Sequence, residues 1–380
     1  MKVIISVGGK FHAFYLAKEL EKRGFLDTIF TSYPYFKVKD SKIDKKKVKC
    51  LITKEILGRL FYRVPYIRNK IDISYYTANL FDLEVARRIK SCDIFVGWSS
   101  FCLFTIRKIR RLFPYIKVIL ERLSTHIEFQ RDILLEEQKI TGLKVNIPSF
   151  YIVDKEINEY RESDYISIPS TFVKDTFLAK GFSKDKLLQI PFGVDIERFK
   201  PTLKNDKVFR IISVGISVRK GIHYLLKAVE ELAIKDLDVW LIGKVSDDIK
   251  PVLKRYSHRF KYLGPIPHDE LYKYYSQGSV FVLTSIEEGL AFCILEAMAC
   301  GLPVICSTNT GARDVVRDGI DGFIVPIRDV VSLKEKILFL YQHPESAHQM
   351  GERARENIIS SFTWQHYIEK ILRIYAKIYK

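Results

Sequence analysis

Two carboxylates, Glu288 and Glu296, stand eight positions apart in SIEEGLAFCILEAMACGLPV, residues 285–304. SVFVLTS (279–285) reads as a strand, IEEG as a turn, and LAFCILEAMAC as a helix stopped by Gly301 and Pro303. Glu288 is therefore expected on the turn at the strand's carboxyl end, and Glu296 within the first two turns of the helix. The free N–H groups around Leu290, Ala291, Phe292 and Cys293 make a positive anion site. A carboxylate on either side of a phosphate seat suits a ligand that also carries hydroxyls, because hydrogen bonds to an ionised acceptor are the stronger kind. A sugar at each end of a diphosphate has that chemistry, with Glu288 on one sugar and Glu296 on a ribose. An isolated pair of acids is more often a helix cap and a solvated acid, so the assignment depends on what surrounds the pair.

The surroundings are a repeating alternation of strand and helix. In the first half, apolar β-rich runs fall at 2–7, 26–30, 93–97, 117–121, 164–169 and 186–191. Helical patterns lie between them, as at 12–24, closed by Gly24, and 100–113. This alternation argues for a parallel sheet covered on both faces. PFGVDIERFKPTLKNDK (191–207) has no clear period and reads as a linker. The pattern then restarts, with strands expected at 209–215, 238–244, 260–266, 279–285, 302–307 and 322–327. The fold class is thus α/β, two doubly wound Rossmann-like domains in tandem: 1–195 and 205–362. The last helix, 363–380, would pack back on the first. Ligands of such folds bind outside the carboxyl ends of the strands, so the cleft between the domains is the expected site.

Length and composition agree. A chain of 380 residues is long for one core, and 47% hydrophobic with 28% charged residues is the composition of a globular protein. MKVIISVGGK has too short an apolar run for a signal peptide and reads as the first strand. No apolar stretch approaches the roughly 20 residues that span a bilayer. The six cysteines show no paired spacing, which suits reduced thiols and a cytoplasmic setting. The net charge of +17 is uneven, since residues 1–120 hold 25 Lys and Arg against 10 Asp and Glu. Two clusters, 36–54 and 106–117, fit either a solvated surface or an anionic membrane face, at about 1 kcal/mol per basic residue near lipid headgroups. In the second cluster Ile106 and Ile109 interleave with the charges, as they would on a core-facing helix too.

Around the acidic pair, further segments fall in a familiar order. EAMACGLPVI follows Glu296, SVGISVRKGIHYLLKAV sets Arg219 and Lys220 before Gly221 at a helix start, and TGARDVVRDGIDGFIVPIRD follows the glycine-proline turn. With DYISIPSTFVKDTFLAKGFSKDKLLQIPFGVD before the linker, these resemble glycosyltransferase family 4, retaining enzymes of GT-B fold. The resemblance covers most of the second domain and part of the first. It implies a donor site of Gly9, Arg219, Lys220, Glu288, Leu290, Ala291, Phe292 and Glu296, with Lys220 on the diphosphate. Its donor would be a nucleoside-diphosphate sugar and its acceptor a saccharide or lipid-linked saccharide, with no cofactor, metal or nucleic acid. Members often carry Phe-Gly after the Glu-Gly, where this chain has Leu290-Ala291. The usual basic residue after the domain's first strand is Ile216 here, and Arg219 is the substitute for it.

In the first domain, SVGGKFH places Gly8 and Gly9 at a strand-to-helix turn, where glycine lets backbone approach a ligand. The resemblance matches His126, in ERLSTHIEFQ, to a histidine facing the donor sugar across the cleft, so His126 and Glu288 are the expected catalytic residues. Arg122, Ser124 and Thr125, and Trp98 to Ser100, would border the acceptor. No Asp-x-Asp follows a strand there, and Lys220, Arg219 and the helix start would replace a metal ion against the leaving diphosphate. Three other readings stand beside this one. A nucleotide-sugar epimerase would share the architecture, a dinucleotide dehydrogenase lacks its glycine fingerprint, and a basic nucleic-acid binder would leave the acids unexplained.

Overall fold

A computed structural model describes residues 1–62 and 73–379. The first sheet contains β1 (Val3–Val7), β2 (Leu26–Thr31), β3 (Val48–Cys50), β4 (Ile94–Trp98), β5 (Lys117–Glu121), β6 (Tyr165–Ile168) and β7 (Leu187–Gln189). They are ordered β3-β2-β1-β4-β5-β6-β7. The second contains β8 (Phe209–Ile216), β9 (Leu237–Val245), β10 (Lys261–Gly264), β11 (Val280–Leu283), β12 (Val304–Ser307) and β13 (Gly322–Val325), ordered β10-β9-β8-β11-β12-β13. Every pairing described is parallel. Central strands such as VIISV and VFVL are buried along their whole length, as parallel strands between two helical layers must be. Strand order reverses at β1/β4 in the first sheet and at β8/β11 in the second. These two switch points, where helices diverge to opposite faces, open the crevices that α/β folds use for ligands.

The chain crosses between the sheets twice, and the crossings touch. Val194 N–H donates to Phe362 O at 2.9 Å, and a Cβ on Gly193 would lie 2.5 Å from the Thr363 carbonyl. Only glycine lets the two strands of the connection lie this close. The helix Trp364–Tyr379 then returns to the first sheet. It buries Tyr367, Ile368, Ile371 and Tyr375 in the cluster that contains Val3, Ile5 and Val7, and Trp364 stacks on Tyr15 at 4.2 Å.

Two features bear on the basic clusters. The edge strand β3 lies inside the lysine-rich 36–54 segment, where Val48 packs inward while Lys49 faces solvent. In the helix Leu103–Leu112, Ile106 and Ile109 are fully buried, Arg107 pairs with Glu162 at 2.8 Å and Arg110 with Asp164 at 2.9 Å. The apolar stripe of 106–117 thus serves the core, and two of its cations already hold acids of the chain.

Candidate active site

The loop between β8 and the helix Ile222–Leu232 presents Arg219 and Lys220 at the second switch point. Gly221 has φ +68°, and a Cβ there would fall 1.9 Å from Thr284 O, so the loop can sit against β11 only with glycine. Lys220 Nζ lies 2.8 Å from Glu288 Oε1, on the turn after β11, and Arg219 lies 3.9 Å from Glu288 Oε2. Burial works against the Lys220 charge, yet the Glu288 carboxylate wins and holds its pKa above the usual value. Lys220 also acts on the thiol of Cys293, in the first turn of the helix Phe292–Ala299. Lysine and helix start therefore share one place.

That helix begins at Ala291 with no side-chain cap on its first N–H groups. Leu290 and Ala291 are buried beside it, and Phe292 stacks on Phe192 at 4.5 Å. An uncapped helix start beside a lysine is a ready anion seat. One turn further in, Glu296 is buried and accepts from His268 Nε2 at 2.6 Å and from the Tyr275 hydroxyl at 3.0 Å. The carboxylate raises the His268 pKa, opposed by burial. His268 is the exposed partner, so a ribose hydroxyl can replace it on Glu296 while Tyr275 stays.

Arg219 is turned toward the first domain. Its guanidinium donates to Ser124 Oγ at 2.8 Å and to Glu287 O at 3.0 Å, and reaches Glu287 Oε2 at 2.8 Å. Glu287 is fully buried and accepts from Ser124 Oγ, Thr125 N–H, Thr125 Oγ1 and Gln130 Nε2. Burial alone would raise its pKa, but Arg219 and the Thr125 and Ser124 hydrogen bonds outweigh it and hold the carboxyl at about 2. A second brace runs the other way: buried Glu137 of the first domain meets His223 at 2.8 Å, Tyr224 at 2.9 Å and Arg328 at 2.7 Å. Neither Glu287 nor Glu137 was expected from the sequence. The one available signal for Glu287 was Arg219, a second cation beside Lys220 that needed its own partner.

The first-domain expectations fare differently. Gly9 lies in the loop after β1, its carbonyl accepting from Thr31 Oγ1 at 2.7 Å, on the first domain's crevice. His126 is not brought to the cluster. It caps the helix Ile127–Thr141, accepting from Glu128 N–H, and its ring is enclosed by Tyr160, Phe177 and Phe182 inside the first domain. Burial drives its pKa down to about 4. A role facing the donor sugar does not fit that enclosure. Ser124 and Thr125 bind Glu287, Arg122 pairs with buried Glu156 at 2.8 Å, and the Ser100 hydroxyl donates to Glu156, so these side chains brace the protein rather than line an open acceptor surface. A cavity of about 800 Å³ lies elsewhere, at the amino ends of β8, β11 and β12 beside Phe209, Ser279 and Pro303.

All the clustered second-domain residues fall in one matched region. Residues 194–357 match the glycosyl transferases group 1 family. The group 1 match takes in Arg219, Lys220, Glu288 and Glu296, and stops short of Gly9 and His126. Among curated relatives, the GDP-mannose-dependent monoacylated alpha-(1-6)-phosphatidylinositol monomannoside mannosyltransferase of Corynebacterium glutamicum is 25% identical over 237 residues, 56% of this chain and 62% of its own length. The sulfoquinovosyl transferase of Arabidopsis thaliana is 27% identical over 228 residues, 56% of this chain and 44% of its own. The chain thus spans less than two thirds of these relatives. Sucrose-phosphate synthase of Thermosynechococcus elongatus superposes with a TM-score of 0.74 at 19% identity, covering 100% of this chain and 99% of its own. HepE of Anabaena, solved with UDP and glucose, does so at 0.71 and 16%, covering 99% and 100%. The fold is that of the GT-B glycosyltransferases.

Proposed function

We propose that the protein is a glycosyltransferase that moves a sugar from a nucleoside-diphosphate sugar to an acceptor hydroxyl, with retention at the anomeric carbon as in glycosyltransferase family 4. The observation that carries this reading is the convergence of Lys220 with the uncapped start of the helix Phe292–Ala299. Breaking the sugar–phosphate bond leaves negative charge on the diphosphate, and a fixed ammonium with aligned N–H groups stabilises that charge as it develops. Donor binding would exchange the Lys220–Glu288 ion pair for a Lys220–phosphate pair and release Glu288 toward the sugar hydroxyls. Glu296 would take the ribose. Arg219 acts through Glu287 and Ser124, holding the loop of Lys220 against the first domain. The positive charge comes from the chain's own residues, so the reaction is proposed to be independent of metal. No cofactor enters the proposal.

The proposed acceptor is a saccharide or lipid-linked saccharide, in polysaccharide or lipopolysaccharide synthesis at the cytoplasmic face of a membrane. Among the described residues no helix is long and apolar enough to cross one. The support for a membrane face is the 36–54 segment, where Lys39, Lys42, Lys45, Lys46 and Lys49 are exposed beside an exposed Phe36. The test of the function is a thermal-shift screen of UDP-, GDP- and ADP-sugars, with and without EDTA, followed by acceptor assays with the stabilising donor. Stabilisation by one nucleotide class, retained in EDTA, is expected. Indifference to all of them would remove the donor site.

A further inference from the structure

The first switch point holds buried polar groups that the donor site does not use. His12 follows the Gly8-Gly9 loop, Trp98 ends β4, and Glu121 ends β5. His12 Nε2 lies 3.6 Å from Glu121 Oε2, and the two side chains are 1% and 3% exposed. Neither ring nitrogen of His12, nor Glu121 Oε1, Trp98 Nε1, or the hydroxyls of Tyr367 and Tyr375, has a hydrogen-bond partner. Glu121 acts electrostatically on both tyrosines, which places them around one carboxylate. Unpartnered buried polar atoms are costly and rare, and so many at one point are not what a core needs.

What surrounds the imidazole shows what it joins. Its ring centroid lies 4.9 Å from that of Phe192 in the connection after β7, 5.3 Å from that of Trp98, 5.6 Å from that of Tyr367 on the last helix, at right angles to it, and 6.2 Å from that of Phe292. Phe292 is the first residue of the helix whose start forms the proposed phosphate seat, and it is the residue stacked on Phe192. One ring, on a residue just past the glycine loop, therefore sits among the end of β4, the interdomain connection, the returning helix and the donor helix. A leucine would fill the same space without a fixed orientation. A carboxylate beside one ring nitrogen sets the rotation of an imidazole, much as carboxylates orient histidines in metal and catalytic sites.

We infer that His12, oriented by Glu121, is a positioning residue for glycosyl transfer: it registers the first domain, at the end of the Gly8-Gly9 loop, against Phe292, and so sets that domain's distance from the phosphate seat. This rests on the function proposed above. Nucleotide is held by the second domain alone, so loss of the register should leave nucleotide affinity intact and lower turnover.

The experiment uses UDP and GDP as calorimetric probes, and the matching nucleotide-sugar for release of nucleoside diphosphate. His12→Gln and Glu121→Gln are each expected to lower kcat at least tenfold with Kd within twofold of wild type. The double variant should be no slower than the worse single one, because the two act as a unit. Phe192→Leu and Tyr367→Leu, which remove rings packed on the imidazole, carry the test should either polar variant fail to fold, and are expected to lower kcat in the same way. Wild-type kcat in the folded variants, independent losses that multiply, or a Kd that rises with the loss of rate would overturn the inference. If wild type binds neither nucleotide, the donor site fails and takes the inference with it. Wild-type binding and turnover beside indifferent variants refutes the inference alone.

Discussion

Glu287 and Glu288 are adjacent in sequence, yet their carboxylates serve opposite sides of one turn. Glu287 accepts from Ser124 and Thr125 of the first domain, whereas Glu288 meets Lys220 at 2.8 Å within the second. One acid joins the domains and the other pairs with the lysine proposed to bind phosphate.

Lys220→Ala should weaken nucleoside diphosphate binding at least tenfold, about 1.4 kcal/mol by calorimetry. Glu288→Gln should behave in the opposite sense. It removes the carboxylate that competes for Lys220, so nucleotide affinity is expected to hold or improve while transfer falls by two orders of magnitude or more. Parallel losses of affinity in both variants would mean that Glu288 is not the exchanging partner.

Glu287→Gln should leave Arg219 without its buried counter-ion and cost on the order of 3 kcal/mol in thermal or urea unfolding. The pH dependence has a definite sign. The carboxyl is held at about 2 against an ordinary 4.5, so its contribution is complete above 4.5 and lost as pH falls toward 2. Wild type should lose stability over that window more steeply than Glu287→Gln.

His126 predicts a different window. Its imidazole is held at about 4 against an ordinary 6.5, because burial opposes the charged ring. The unfolded chain takes the proton first, so this contribution is complete above 6.5 and declines as pH falls through 4, by about 3 kcal/mol in all. His126→Phe should flatten that slope and leave nucleotide affinity unchanged. A tenfold loss of affinity would return His126 to the donor site.

Gly221→Ala places a Cβ against Thr284 O at a left-handed backbone position. The variant should lose several kcal/mol of stability and, where it folds, bind nucleotide more weakly because Lys220 is displaced. Wild-type melting and affinity would show that the loop has another way to pack.

Replacing Lys45, Lys46 and Lys47 with Glu should reduce cosedimentation with anionic vesicles while leaving nucleotide affinity untouched. Equal binding by wild type and variant would leave 36–54 as ordinary surface.

Much of the fold was legible because parallel strands are apolar along their length: VIISV, IFVGW and VFVL announce themselves. β3 did not, since only Val48 of that edge strand is buried and the surrounding lysines read as a charge run. Lys220, Glu288 and the helix start were legible because they belong to one continuous strand-turn-helix pattern and the loop packed beside it. The braces of Glu287 and Glu137 were not, for their partners lie in the other domain, and chain spacing carries no information on that approach. His126 shows the converse. Its sequence position suits a cleft residue, but Tyr160, Phe177 and Phe182 enclose it, and enclosure is a property of the packed chain.

The most direct measurement is a crystal structure with the nucleoside diphosphate that best stabilises the protein. Phosphate oxygens are expected within hydrogen-bond reach of Lys220 Nζ and the N–H groups of Phe292 and Cys293, with Glu288 released from the lysine and a ribose hydroxyl on Glu296. Diphosphate density away from that helix start, with the Lys220–Glu288 pair still closed, would contradict this.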